Sequence, residues 1–274
     1  MLFIIVLYKC NLSESNSYLT IIKSLIKSQK TGTLFVFDNS PDSQIIKNDY
    51  PQIWNNIEYV HCPENSGLGI AYNQGAQYAF EHGFRWIMLL DQDTKFEELI
   101  IEKIDETIQS NSNIFLITPM IRLENGIYFS PTRYKHKRGY KANLKSGVFS
   151  LFRYSPVNSG MVINVDGFIK SGGYNPEIKL DFSDFQFIER FRKFYGSFYL
   201  IDSIAIQNFS NDEKDIVKLK ARFRIYCECA KKCNKLNLID HVEYFYSVFR
   251  HAIGLIIKTR NFSFMRIFIC NYFF

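Results

Sequence analysis

The residues best suited to chemistry are Asp91 and Asp93, two carboxylates separated by Gln92 and set directly after the apolar run 86–90. At a strand terminus, carboxylates two positions apart can share one divalent cation. Mg²⁺ and Mn²⁺ take hard oxygen ligands and commonly bind through one or two carboxylates plus substrate phosphates. Such a cation would neutralise a departing diphosphate. The alternative is that the two acids cap the helix that follows, where negative charge is favoured in any case. Arg133, Lys135, Lys137, Arg138, Lys141 and Lys145 form a second feature, a basic run without an acid, interleaved with Tyr134 and Tyr140. It reads either as a mobile loop that meets phosphate or as a solvated charged loop. No nucleic-acid motif accompanies it, so a nucleic-acid partner is not expected.

These groups need a scaffold, and the hydropathy pattern supplies one. Residues 2–7 are a continuous apolar run, as expected of a strand buried on both faces. Ser13 reads as the N-cap of a helix in which Tyr18, Leu19, Ile22, Leu25 and Ile26 recur at helical spacing until Gly32. Strands follow at 33–37 and 57–61, then a helix at 69–80 ended by Gly83, and a strand at 86–90. The turn signal Asp38-Asn39-Ser40-Pro41 closes the second strand. A helix at 96–109 and a strand at 115–119 continue an alternation that argues for βαβ units and a mainly parallel sheet. Such sheets bind ligands beyond the carboxyl ends of their strands. Tyr8, Asp38 and Asp91-Gln92-Asp93 each follow a strand, so three polar features converge on one edge. Beyond residue 120 the pattern changes. Residues 125–160 suggest hairpins and loops, 161–165 a strand, and 184–194 an amphipathic helix.

The chain has 274 residues, 47% of them hydrophobic and 22% charged, enough for one large α/β domain plus an appendage. The net charge of +6 is concentrated at one end: 12 of the 33 Lys/Arg but only 4 of the 27 Asp/Glu lie from Lys214 onward. From Tyr244 to Phe274 the tail mixes Phe, Tyr and Ile with Arg250, Lys258, Arg260 and Arg266. That composition suits an interfacial helix at a membrane surface, a helix covering the core, or a homodimer contact. No apolar stretch is long enough for a spanning helix. The run 2–7 is too short for a signal peptide. Six cysteines without zinc or C-x-x-C spacing fit a reduced, cytoplasmic protein with packed thiols.

In order along the chain stand Tyr8, Asp38-Asn39-Ser40, Glu64-Asn65-Ser66-Gly67-Leu68-Gly69-Ile70-Ala71-Tyr72-Asn73, and Leu89-Leu90-Asp91-Gln92-Asp93-Thr94. The series resembles the family 2 glycosyltransferases of the GT-A fold, and especially bacterial rhamnosyltransferases, over about residues 1–210. The resemblance implies that Tyr8 and Asp38 contact the nucleotide base and that Asn65, Gly67 and Asn73 line the donor pocket. It implies that Asp91 lies beside ribose and metal, and that Asp93 binds the metal directly. Read on their own, Asp38 is a turn-forming residue, and Gly67 and Gly69 mark a loop that needs positive φ.

Further along, Val157-Asn158-Ser159-Gly160-Met161-Val162-Ile163 and Gly172-Gly173-Tyr174-Asn175 resemble the family's acceptor-side segment. They precede Leu180-Asp181-Phe182-Ser183-Asp184, in which Asp184 falls on the family's catalytic acid. An inverting transferase needs one carboxylate to accept the acceptor hydroxyl proton. Asp184 takes that role in this reading, with Asp181 in reserve; the alternative is helix N-capping by Ser183 or Asp184. Two departures stand out. Ser183 replaces a frequent Glu, and Gln207, in Gln207-Asn208-Phe209-Ser210, replaces a His that often completes the metal site. None of His61, His82, His136, His241 and His251 falls at that position.

The resemblance thus implies a GT-A domain over 1–210, with a nucleotide-sugar half (1–120) and an acceptor half (121–210); composition adds a basic aromatic helical extension over 211–274. It implies a Mg²⁺- or Mn²⁺-dependent inverting transfer, from dTDP-L-rhamnose or a UDP-sugar to a lipid-linked cell-surface polysaccharide, by an enzyme peripheral to the inner membrane face. A nucleotidyltransferase is the poorer reading, because Leu7-Tyr8-Lys9-Cys10-Asn11 lacks a glycine- and arginine-rich loop. A scaffold that kept the fold and lost the chemistry is favoured only by Ser183 and Gln207.

Overall fold

Every residue of Leu2–Leu7 is buried, as in a strand covered on both faces, and this strand, β1, lies inside the main sheet. The structure is a computed structural model that describes residues 1–44, 51–207 and 215–274. After β1 come α1 (Asn16–Lys27), β2 (Gly32–Asp38), β3 (Trp54–His61), α2 (Leu68–Glu81), β4 (Trp86–Asp91), a short β5 (Thr94–Lys95) and α3 (Ile100–Ser110). Then follow β6 (Leu116–Leu123), β7 (Tyr128–Ser130), β8 (Thr132–Lys135), β9 (Arg138–Tyr140), β10 (Gly147–Ser150) and β11 (Tyr154–Ser155). The chain continues through β12 (Val162–Asn164), α4 (Val165–Lys170), α5 (Ser183–Phe191) and β13 (Ser197–Gln207). It ends in α6 (Ile216–Lys232), α7 (Leu238–Thr259), α8 (Ser263–Phe268) and a π-helical turn, Ile269–Phe273.

The main sheet runs β10-β13-β6-β12-β4-β1-β2-β3. Its β4-β1-β2-β3 half is wholly parallel, as the alternation of strands and helices requires. Beyond β4 it becomes mixed: β12 lies antiparallel between β4 and β6, while β6 and β13 are parallel. Alternate residues of β1 feed two cores. Ile4 and Val6 join Tyr72, Leu89, Phe168, Tyr174 and Phe187 on one face. Phe3, Ile5 and Leu7 join Ile21, Leu25, Leu90 and Ile104 on the other.

Several boundaries differ from the sequence reading for local reasons. The cap of α1 is Ser15, whose side chain accepts the Tyr18 N–H, while Ser13 sits in a short 3₁₀ turn. Gly32 opens β2 instead of closing α1. The strand expected at 161–165 stops at Asn164, whose side chain accepts the Gly167 N–H and starts α4. The first helix past β5 begins at Ile100 rather than 96, because Phe96 is packed in the core beneath α1.

The basic run 133–145 is not all loop: Lys141 and Lys145 lie in an exposed loop, but the part before them is a hairpin. It builds β8 and β9, which with β11 form a separate three-stranded sheet, order β11-β8-β9. Arg133, Lys135, Lys141 and Lys145 are exposed, but Lys137 at the hairpin tip is buried between Glu189 of α5 at 2.6 Å and Asp240 of α7 at 2.7 Å. Burial alone would lower the Lys137 pKa; the bonds to Asp240 and Glu189 outweigh it and leave the ammonium above its ordinary range. His136 meets Glu243 at 2.8 Å and Arg138 donates to the Ser247 carbonyl, so the whole tip docks on α7.

The C-terminal helices have a core of their own. Phe223, Cys227, Ala230, Tyr244, Val248, Phe264 and Phe268 close on one another and on Ile178 and Phe182 from the segment before α5. The six cysteines are free, and burial pushes the Cys227 and Cys233 thiols up to about 12. The domain boundary drawn at residues 210/211 lies outside the described residues. Among the described residues no helix is long and apolar enough to cross a membrane. Lys137→Met should leave the partly buried Glu189 and Asp240 without this ammonium, with Arg192 still 3.7 Å from Glu189, and cost about 2 kcal/mol. Urea unfolding of the variant checks this; a loss under about 0.5 kcal/mol, as for an exposed pair, would contradict the buried tie.

Candidate active site

Parallel pairing sets the site's position. Leu7 lies beside Asp38 and Val6 beside Asp91, so the residues following β1, β2 and β4 emerge at one sheet edge. The loop after β4 is held by its backbone. Ser15 Oγ donates to the Gln92 carbonyl at 2.9 Å, and Ser17 Oγ contacts the carbonyls of Asp91 and Thr94. Thr94 Oγ1 meets Ser159 Oγ at 2.6 Å. Pinned through its main chain, the loop keeps its carboxylates for the cleft.

The third member arrives from far along the chain. β5 pairs antiparallel with the end of β13, setting Gln207 opposite Thr94. Gln207 Nε2 then donates to Asp93 Oδ1 at 3.2 Å and, at 3.4 Å, to Asp91 Oδ2. The other oxygen of Asp91 accepts the Tyr72 hydroxyl at 2.7 Å. Burial, with Asp93 beside it, raises the Asp91 pKa to about 6, against the lowering effect of the Tyr72 and Gln207 bonds. Burial raises Asp93 as well, against the Gln207 bond. Burial and the Asp91 charge hold the Tyr72 phenol well above its ordinary range, so it stays protonated and donates.

Asp184 stands in the first turn of α5, near enough to Asp91 to feel its charge. Its Oδ1 accepts the Phe185 N–H at 2.8 Å. Tyr174 joins the two halves: its ring packs 5.4 Å from Tyr72 and stacks on Phe187 at 4.5 Å, and its hydroxyl donates to Asn158. Burial raises the Asp184 pKa to about 7 against the lowering effect of the Phe185 N–H bond, with Asp181 and Asp91 adding to the rise. Neither acid caps α5: the cap is Phe182 at φ 66°, and Ser183 Oγ bonds the Leu180 carbonyl.

The remaining candidates are placed differently. Asp38 is fully buried and saturated, accepting from Ser40 N (2.9 Å), Gln44 Nε2 (2.9 Å) and Tyr59 Oη (2.8 Å). Beside it a cleft of about 1070 Å³ is lined by Lys9, Leu12, Ser40 and Gln44. Tyr8 is exposed at its rim, its backbone paired on both sides with the Gln92 amide. Asn65 is exposed in a turn at φ 51°. Gly67 begins α2 at φ 93°, where a Cβ would lie 2.6 Å from the Lys179 carbonyl. Asn73 clamps the Tyr174 backbone, with Nδ2 donating to its carbonyl at 2.9 Å and Oδ1 accepting its N–H at 2.8 Å. Both oxygens of Asp181 are taken by Arg222 of α6. Residues 208–210, in the stretch aligned with the family's late His element, lie outside the described residues.

Sequence reasoning missed Gln44, Tyr59, Tyr72, Tyr174, Ser15 and Ser17 as partners of the site. Tyr72 and Tyr174 fall inside quoted motifs, yet their roles depend on neighbours that only the fold supplies.

The donor set fits a hard divalent cation. Among the described residues no group of three His, Cys, Asp or Glu could hold a metal, so the two carboxylates need a neutral third ligand. Gln207 Oε1 is buried without a hydrogen-bond partner. Turned half a revolution about its last bond, the amide exchanges Nε2 for Oε1 and presents three oxygens to one point.

The raised pKa of Asp184 has a stability consequence. The folded chain keeps a proton that the unfolded chain has lost between pH 4 and 7, so stability falls as pH rises through that window. Asp184→Asn removes the effect. Its Tm should exceed wild type by a few degrees at pH 8 and match it near pH 4; equal Tm at both would mean the carboxyl is not desolvated.

Comparison with known proteins agrees with this architecture. The model of the family described as "Glycosyl transferase family 2" matches residues 3–167. The crystal structure of S. aureus TarS 1–349 is similar with a TM-score of 0.53 at 12% identity, covering 88% of this chain and 68% of that one. Its complex with UDP gives 0.53 at 12%, covering 92% and 72%. The complex with UDP-GlcNAc gives 0.52 at 12%, covering 99% and 89%. At that identity the likeness is one of fold. No curated protein matches the chain in sequence. The family match spans more than half the chain and coincides with the GT-A arrangement of its sheet and helices: the chain belongs to glycosyl transferase family 2.

Proposed function

We propose that the protein moves a sugar from a nucleoside-diphosphate sugar to an acceptor hydroxyl with inversion at the anomeric carbon. The observation that carries this reading is the convergence of Asp91, Asp93 and Gln207 on one point, with Asp184 near enough for the Asp91 charge to act on it. TarS, similar in fold, has been crystallised with UDP and with UDP-GlcNAc, which supports a donor of that chemical class. The sequence likeness to rhamnosyltransferases adds dTDP-L-rhamnose, and a lipid-linked polysaccharide as acceptor.

In this reading Asp91, Asp93 and Gln207 hold Mg²⁺ or Mn²⁺. When bound, the cation neutralises charge on the diphosphate. Tyr72 fixes the rotamer of Asp91, and Ser15 and Ser17 fix the loop. Asp184 accepts the proton of the acceptor hydroxyl as that oxygen bonds to the anomeric carbon; the bond to the diphosphate breaks, and its electron pair leaves with the diphosphate. Two features suit Asp184 to the role. A pKa of about 7 makes it a stronger base than an ordinary carboxylate, and among the described residues no Lys or Arg forms an ion pair with it. Asp181, held by Arg222, is the positioning residue of this loop. Tyr8 and the cleft beside Asp38 take the nucleoside, and Gly67 admits the start of α2 close to the loop before Asp184.

One observation favours the scaffold alternative: Gln207 Nε2 already satisfies both carboxylates without a cation. Thermal stability against a panel of dTDP- and UDP-sugars, with and without Mn²⁺ or Mg²⁺, separates the two. A metal-dependent rise with one donor identifies the sugar; no rise with any donor leaves the scaffold reading. Asp93→Ala should abolish that rise and the transfer while the metal-free fold survives. Asp184→Asn should keep the rise and lose about 10²–10⁴-fold in kcat. Wild-type turnover by Asp184→Asn would move the base elsewhere. For the native enzyme, kcat should climb with pH to a plateau above about 7, since the base acts ionised.

A further inference from the structure

The outer face of the C-terminal helices has a composition that the donor site does not explain. Between Tyr244 and Phe274 there is no Asp or Glu, against Arg250, Lys258, Arg260 and Arg266. The only acids of α7, Asp240 and Glu243, turn inward to the β8–β9 hairpin and are paired there with Lys137 and His136. Besides His241 and Tyr246, the exposed side chains of α7 are apolar or cationic. Val242 is 65% exposed and Ile257 74%, on the same side as Phe245 and Phe249. Both Phe rings lie against Phe268 of α8, and Phe245 also meets Phe273, itself 53% exposed. These contacts join α7 and the final π-helical turn into one aromatic patch.

On the other side of α8 is a cleft of about 350 Å³ between α6 and α8, with Lys220, Arg224 and Arg266 in its lining. Among the described residues no carboxylate forms an ion pair with any of the three. A cleft with three unpaired cations flanks the same short element as an exposed aromatic patch.

We propose that this face, centred on α8 and the turn Ile269–Phe273, docks on an anionic phospholipid surface. The aromatic rings enter the interface, and Lys220, Arg224 and Arg266 take up lipid phosphate. The charge pattern favours this occupant over a second copy of the chain, since a symmetric pairing would set Lys220, Arg224 and Arg266 against their copies, with Glu228 the one exposed carboxylate within α6, α7 and α8. The inference stands apart from the donor-site reading and is tested separately from it.

The full chain is sedimented with phosphatidylcholine vesicles, with and without phosphatidylglycerol. Binding should require phosphatidylglycerol and weaken as salt is raised. Replacing Lys220, Arg224 and Arg266 together by Gln should lower partitioning roughly a hundredfold. Val242→Ser with Phe273→Ser should lower it about tenfold. Circular dichroism and the donor-induced thermal shift of both variants should match wild type, which separates lost docking from lost folding. Absence of vesicle binding, or equal binding to neutral vesicles, overturns the proposal. So does concentration-dependent self-association that the two apolar substitutions abolish, which would assign the face to a second copy.

Discussion

Two carboxylates that repel each other, half withdrawn from water, are the constraint around which this molecule is arranged. Asp91 and Asp93 stand two residues apart at the end of β4, and burial with mutual repulsion raises the pKa of Asp91 to about 6. Left alone, such a pair would spread apart or protonate. Instead it is held by donors from distant parts of the chain: the Tyr72 hydroxyl from α2, the Gln207 amide from β13, and the α1 serines that fix the loop's carbonyls. A site that gathers negative charge at a fixed point is pre-organised for a cation and the phosphates it accompanies.

Gln207 changes the character of that site. A neutral amide gives a weaker ligand than an imidazole, but it can also face the carboxylates with its N–H groups. In the structure the amide donates to both carboxylates; in the proposed metal-bound state its oxygen would turn toward the cation, so metal binding would compete with an internal hydrogen-bond arrangement. The buried, unpartnered Oε1 marks the cost of the metal-free state.

The position of Asp184 depends on the C-terminal helices. The loop before α5 is fastened by Arg222 on Asp181, by Phe182 and Ile178 in the third core, and by Asn175, which donates to the Lys232 carbonyl at 3.2 Å. Asp184 is thus positioned between the sheet on one side and α6 on the other. The Lys137 tie draws α5, α7 and the hairpin to one point. The extension is part of the frame of the pocket, and its outer face is left free for another role.

Much of the first half was legible in the sequence because its signals are local. Continuous apolar runs specified strands buried on both faces, helical spacing specified α1 and α2, and the strand-to-carboxylate step at Leu90–Asp91 marked the edge where chemistry would lie. The order of motifs carried the family. What sequence could not give was pairing between distant segments. Nothing local says that Thr94 pairs with Gln207, that Tyr72 rather than its neighbour Asn73 reaches Asp91, or that Asp181 faces Arg222 while Asp184 faces the pocket. The basic run read as a loop because Lys137 finds its two acids 52 and 103 residues later, in α5 and α7. Side-chain types and their spacing determined which groups were available for chemistry. Strand register, the desolvation imposed by packed aromatic rings, and the approach of helices from the far end of the chain decided which of those groups meet and with what charge.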